Sequence, residues 1–389
     1  MSTIVIPEFS LPSEIFIRPE VVQSVSDIIA RFGKRTVILC TSEDMHLFSD
    51  IAQDINSSLN MKEIGCMIYD NLPKYPNTED IDEAANFIKK ANCSTVIGLG
   101  GVESINAAKA VSILINNYIF CDDIFKGEAL PNAPLDLITI PCLPLFGFEI
   151  APLFYIQDVK KEQKKVFFDK RLYPKATIID PNILRILPSV HIAKMGIASL
   201  AISLESVISR ASNDIINTFA FKSIDIIFRN LAHACKGTSN AEPLSFISLA
   251  SLMSGIAFSS AYSSSAMAIA LPLTLEADID IAEAISVLLP YIMEYNLTAS
   301  AGKYVQIAKV MGEDVRNITV IEAAVKAVEA IRRLSTEVDI PQKLSAFNIN
   351  KQAFKKVAKT AMGYSFLGNM PKAIDTGEIE AILIAATNE

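Results

Sequence analysis

The chain has 389 residues, is 51% hydrophobic, and carries 43 acidic against 35 basic side chains for a net charge of -8. Such a length suits two domains, and such an apolar content supplies a large core, which excludes a disordered chain. The acidic balance, with no basic block to neutralise phosphates, excludes nucleic acid and anionic membrane surfaces as partners.

The opening residues, MSTIVIPEFSLPSE, hold neither a basic n-region nor a long apolar h-region, so no signal peptide is expected. The first part of the chain then alternates short β-branched runs with helical periodicity. Strands are predicted at Arg35 to Ser42 (RTVILCTS), Lys62 to Leu72 (KEIGCMIYDNL), Ser94 to Gly101 (STVIGLGG) and Leu135 to Leu143 (LDLITIPCL). Between them VVQSVSDIIARFG, HLFSDIAQDINSSLN and TEDIDEAANFIKKAN space apolar residues by three and four, the pattern of amphipathic helices. This βαβα rhythm predicts a parallel sheet with helices on both faces.

After ATIIDP, Ala176 to Pro181, strand signals vanish and nearly every segment has helical period, VIEAAVKAVEAIRRLSTEV most clearly. The expected organisation is an α/β Rossmann-like domain over 1–182 and an all-helical domain over 183–389. Pro243 to Leu275 has no charged residue, but its serines and Pro272 read as two buried helices rather than a membrane span. The six cysteines, at 40, 66, 93, 121, 142 and 235, form no CxxC pair and fit reduced thiols in a cytoplasmic protein.

The stretch GLGGVESINAAKAV, Gly98 to Val111, begins as a phosphate-cradling glycine loop running into a helix. Val102 stands where a third glycine is expected, and Glu103 follows it. A first-turn carboxylate stabilises its own helix by about 0.3 to 1 kcal/mol. Near a bound pyrophosphate it would cost roughly 1 to 4 kcal/mol per charge pair at about 4 Å.

Several landmarks in common order resemble the iron-containing (group III) alcohol dehydrogenases, whose architecture is similar to that of glycerol dehydrogenases and dehydroquinate synthases. They are FSLPSEIFIRPEVV, YPNTEDIDEA, GLGGVESINAAKA, TIPCLPLFGFEIAPLFYI, KKVFFDKRLYPKATIIDP and MSGIAFSSA followed by LLPYIMEYN. The resemblance implies a dinucleotide-binding α/β domain, a helical domain and a divalent iron or zinc held by one aspartate and three histidines.

Residue by residue, the resemblance implies altered sites. GIASLAISLE resembles the family's GMDALxHxxE and puts Ala198 at the aspartate and Ile202 at the first histidine. Met267 and Ile281 fall at the other two, and Leu271 at a further histidine near the substrate. The three histidines of the chain, His46, His191 and His233, fall at none of them, and these replacements do not bind a divalent metal. The acidic cluster Glu276, Asp278, Asp280 and Glu283 reads as a solvated turn and helix start rather than a substitute site. Tyr262 and Tyr291 read as packed aromatics rather than as a general base.

At the cofactor site the family pattern GGGSxxDxxK keeps Gly100, Gly101 and Lys109, while Val102, Glu103 and Asn106 replace glycine, serine and aspartate. Cys142, Leu143, Phe146 and Phe148 replace the hydroxyl side chains that surround phosphates and nicotinamide, with Gly147 and Glu149 kept, and Ser42 replaces the ribose-binding aspartate. The expectation is a pseudoenzyme with no cofactor, acting as a homo-oligomer or as a heteromer with an active paralogue. The alternative is an NAD(H)- or NADP(H)-dependent alcohol dehydrogenase or carbonyl reductase with altered or absent metal. A third reading takes Phe146, Phe148, Met267 and Leu271 as the lining of an apolar pocket for a small ligand.

Overall fold

The computed structural model describes residues 9–237 and 241–388; the first eight residues, part of the stretch in which no signal peptide is read, lie outside them. Buried β-branched runs form the centre of the first unit, Leu11–Ile186. In chain order it contains β1 (Glu14–Ile17), α1 (Val25–Ile29), β2 (Arg35–Thr41), α2 (Ser42–Met61), β3 (Gly65–Leu72), α3 (Thr78–Lys90), β4 (Thr95–Gly100), α4 (Val102–Asn117), α5 (Cys121–Ile124) and β5 (Asp136–Pro141). An antiparallel hairpin, β6 (Leu153–Asp158) and β7 (Gln163–Phe168), follows, and then β8 (Ala176–Ile179).

Six strands make one parallel sheet in the order β1-β8-β5-β4-β2-β3, with β4 entirely buried. Register runs from Thr36 opposite Thr95 to Leu39 opposite Gly98 between β2 and β4, and from Thr95 opposite Asp136 to Gly100 opposite Pro141 between β4 and β5. The crossover through α2 leads away from β2 to one edge, whereas the crossover through α4 leads the other way. Because such crossovers are right-handed, the two helices lie on opposite faces. The topological switch therefore falls between the carboxyl ends of β2 and β4, where open parallel sheets bind their ligands.

The four predicted strands are present with trimmed ends, and β1, β8 and the hairpin add to them. Gly98 lets α4 lie on β4: a side chain there would meet Ala108 Cβ at 2.8 Å.

The second unit is built on Leu187–Glu389, beginning a few residues past the expected boundary. It holds α6 (Ser189–Ile208), α7 (Asp214–Lys236), α8 (Ala241–Ala261), α9 (Ser265–Leu273), α10 (Ile281–Asn296), α11 (Ala301–Val310), α12 (Val320–Glu337), α13 (Phe354–Ala361) and α14 (Thr376–Ala385). Phe9 joins this unit by stacking on Phe219, with ring centroids 5.9 Å apart. Helices α6 and α8 are long and apolar enough to cross a membrane, but the apolar window of α6 is 94% buried and that of α8 67% buried within the fold. Their apolar surface is spent on helix packing, and α9 continues the uncharged stretch as a separate buried helix.

Candidate functional site

Each unit presents one candidate site. In the first, the N-terminus of α4 opens at the topological switch beside the first turn of α2. Gly100 has φ +126, a conformation that favours glycine, and a side chain on it would collide with the Asp44 carboxylate. Asp44 Oδ2 accepts from the Gly101 N–H at 2.8 Å and from the Ser104 hydroxyl at 2.5 Å. Ser104 Oγ accepts in turn from the Thr41 N–H at 2.9 Å, and Thr41 caps α2 by accepting from the Asp44 N–H at 3.2 Å. Burial pushes the Asp44 carboxyl above its ordinary range; the Ser104, Gly101 and Thr41 hydrogen bonds oppose the shift.

Glu103, the expected obstacle to phosphate, is not the carboxylate at this helix mouth. Its Oε1 accepts from the Tyr155 hydroxyl at 3.2 Å, on β6 of the hairpin. Burial raises its pKa, and the Lys164 ammonium on β7 opposes that. The helix directs Glu103 toward the hairpin, and the carboxylate that accepts from the helix mouth is that of Asp44.

The other cofactor-site positions are likewise engaged in structure. Asn106 Oδ1 accepts from the Tyr155 N–H at 3.3 Å. Lys109, fully buried, donates to the carbonyls of Phe148 at 2.5 Å, Ala151 at 2.7 Å and Leu153 at 3.0 Å. Burial draws its pKa down to about 7, with the Glu149 carboxylate acting the other way. Phe146 and Phe148 are each 1% exposed and meet edge to face at 5.2 Å; Phe148 meets Tyr155 similarly at 5.5 Å. Phe146 takes φ +43 and Gly147 φ +95, a tight reversal that turns both rings inward. The Cys142 N–H donates to the Gly100 carbonyl at 3.1 Å and its thiol is buried. Leu143 Cδ2 stands 3.6 Å from where a Gly101 side chain would begin, Val102 is buried, and Ser42 is exposed at the start of α2.

In the second unit Ala198 and Ile202 lie one turn apart on α6, both fully buried, while Met267 is 1% and Ile281 6% exposed. Leu271 is fully buried one turn beyond Met267 on α9. Phe146 and Phe148 in the first unit, and Met267 and Leu271 in the second, are each no more than 1% exposed.

Buried polar contacts hold the frame around the metal-matched positions. Glu205, the final residue of the GIASLAISLE stretch, is buried and accepts from Ser264 Oγ at 2.6 Å, the Ser265 N–H at 2.6 Å and the Ala266 N–H at 3.3 Å. It thereby satisfies the N-terminus of α9, the helix that carries Met267 and Leu271. Lys194, one turn before Ala198, pairs with Asp280 and lies 3.6 Å from Glu283.

The acidic cluster is spent on the same architecture. Asp280 caps α10 in a reciprocal box with Glu283, Glu276 pairs with Lys356 at 2.8 Å, and Asp278 is exposed. Tyr262 accepts from Ser365 at 3.2 Å, and Tyr291 donates to the Gln342 carbonyl at 3.1 Å. Among the described residues no group of three or more His, Cys, Asp and Glu side chains is arranged to hold a metal ion.

Fold and site together define a protein with a dinucleotide-binding type of α/β domain joined to a helical domain. A family model described as "Iron-containing alcohol dehydrogenase" matches residues 12–181, and one described as "Fe-containing alcohol dehydrogenase family, C-terminal" matches residues 192–387. The chain belongs to the iron-containing alcohol dehydrogenase family. It is 25% identical over 385 residues to a 1,3-propanediol dehydrogenase of Klebsiella pneumoniae, covering 96% of this chain and 97% of that one. It is 20% identical over 375 residues to an NAD-dependent methanol dehydrogenase of Bacillus methanolicus, covering 96% and 98%. A crystal structure of 1,3-propanediol oxidoreductase superimposes with a TM-score of 0.92 at 25% identity, covering 98% and 100%.

This membership corrects the expectation that the protein takes no cofactor: the family is iron-containing, and the methanol dehydrogenase relative is NAD-dependent. The residues of this chain meet those groups differently from what the family pattern requires. Iron needs oxygen or imidazole donors, and the four matched positions present alanine, isoleucine, methionine and isoleucine, so the donor chemistry does not fit. At the dinucleotide site, Asp44 takes the helix N–H and hydroxyl donors that an anionic diphosphate would use, so that group does not fit this arrangement of side chains either.

Proposed function

We propose that this chain is a non-catalytic member of the iron-containing alcohol dehydrogenase family with a structural, regulatory or binding role. We read it as a cytoplasmic protein that works as a homo-oligomer or as a heteromer with an active paralogue. One observation carries the reading: Ala198, Ile202, Met267 and Ile281, which the sequence resemblance matches to the family's metal ligands, are all apolar and buried. An alcohol yields hydride only as it approaches alkoxide, and a Lewis-acidic metal makes that approach accessible at neutral pH. The aromatic hydroxyls considered as substitute bases, Tyr262 and Tyr291, are held in hydrogen bonds with Ser365 and Gln342. Meanwhile Glu205 and the Asp280–Glu283 box keep the surrounding helices in place, which supports retention of the architecture for its own sake.

The second reading, an NAD(P)-dependent dehydrogenase or carbonyl reductase with altered or absent metal, is supported by similarity to working dehydrogenases along almost the whole chain. One assay separates the two. Protein incubated with ferrous iron or zinc is offered alcohols with NAD and NADP, and aldehydes and ketones with the reduced cofactors. We expect no turnover above the protein-free rate. Saturable turnover across any part of that panel would sink the non-catalytic reading, and its persistence with a chelator would identify the metal-independent reductase.

A further inference from the structure

The family-implied dinucleotide and the residues of the first unit disagree at one small place, and the disagreement is specific enough to act on. The donors at the mouth of α4 are the Gly101 N–H and the Ser104 hydroxyl, both turned on Asp44 Oδ2. The space left by the missing side chain of Gly100 is filled by the same carboxylate. A helix N-terminus at a topological switch favours an anion, and here the chain supplies its own.

We propose that Asp44 is a resident anion at the dinucleotide position, an autoinhibitory contact in which the first turn of α2 occupies the diphosphate's place on α4. Three features make it a built contact. Thr41 ties the Asp44 backbone to the end of β2, and Ser104 ties the end of β2 to α4, so the carboxylate is held from both sides. The neighbouring charge adds nothing to compensate a phosphate: Glu43 is paired outward with Lys74 at 2.9 Å, and Glu103 is turned to Tyr155. Lys109, which the family pattern retains, is committed to three carbonyls. A diphosphate arriving at Gly101 therefore meets a carboxylate and no free cation among these groups. Access depends on moving or neutralising Asp44.

The test is calorimetric titration of the full-length protein with NADH and with NADPH, comparing the wild type with Asp44→Asn, Asp44→Ala and the control Glu43→Gln. Asn keeps the shape and one acceptor, so it preserves the fold even where Ala does not. The expected result is a dissociation constant at least about tenfold lower for the Asp44 variants, a change of roughly 1.4 kcal/mol, with Glu43→Gln close to wild type. Asp44→Asn binding no better than wild type overturns the proposal. So does an equal gain in Glu43→Gln, which would assign the effect to net charge instead of to the contact. Because binding is read and not turnover, the result is independent of the non-catalytic reading: a gain in affinity without hydride transfer leaves that reading intact, and turnover by the wild type sinks it without touching this one.

Discussion

Lys109 shows at the scale of one residue how a family signature can survive with a structural task. It is legible in the sequence as the last residue of the glycine-loop pattern, but the sequence does not reveal its partners, because the carbonyls of Phe148, Ala151 and Leu153 lie some forty residues downstream. Three acceptors around one ammonium answer its three N–H groups, and together they pin the segment that turns Phe146 and Phe148 inward. Methionine at this position keeps the stem and removes every donor, leaving three carbonyls facing an apolar tip. We expect Lys109→Met to destabilise the first unit by about 1 to 3 kcal/mol, the usual cost of leaving buried acceptors unsatisfied. Urea unfolding followed by circular dichroism measures it. A loss below about 1 kcal/mol, the scale of one ordinary hydrogen bond, would show that the lysine is not the clamp described.

Among whole elements, α2, α3, α4 and four of the sheet strands were legible because their periodicity and their packing agree. The hairpin was not read, although LFYIQD and QKKVFF flank a lysine-containing turn and carry the aromatic and β-branched residues of strands. Its consequence for the site was equally hidden, since Tyr155 and Lys164 determine where Glu103 points. Asp44 was missed for a topological reason: it lies 57 residues before Gly101, and only the adjacency of β2 and β4 brings them together.

A similar tie joins α3 to α5, where Asp82 accepts from the Cys121 N–H at 2.7 Å. Burial, and then the like charges of Asp122, Asp123 and Glu79, push the Asp82 carboxyl up to about 6, against the Cys121 hydrogen bond. Since the fold binds this proton more tightly than the unfolded chain does, its contribution is full below the ordinary value of 3.8 and is lost as pH rises through about 6. Asparagine cannot titrate, so Asp82→Asn should gain stability relative to wild type between pH 4 and pH 7. Paired thermal melts at both pH values read the drift, and a drift of the opposite sign contradicts the assignment.

For the whole molecule, the order of landmarks was enough to identify the family, because a parallel sheet followed by a helical unit depends on patterning that tolerates much substitution. The metal-matched positions are a sharper matter, since a shift of register along α9 or α10 would exchange one apolar residue for another without disturbing the fold. Restoring the family's ligands tests the register directly. Ala198→Asp, Ile202→His, Met267→His and Ile281→His together place four polar groups at positions no more than 6% exposed. Unpaired, each costs about 1 to 3 kcal/mol, and the sum rivals the roughly 5 to 15 kcal/mol that hold a domain together. The quadruple variant should therefore be unfolded or strongly destabilised without metal and recover cooperative unfolding with zinc or ferrous iron, as metal binding free energy becomes folding free energy. If it unfolds equally with and without metal, the four positions do not converge, and the ligand assignment on which the non-catalytic reading rests loses its support.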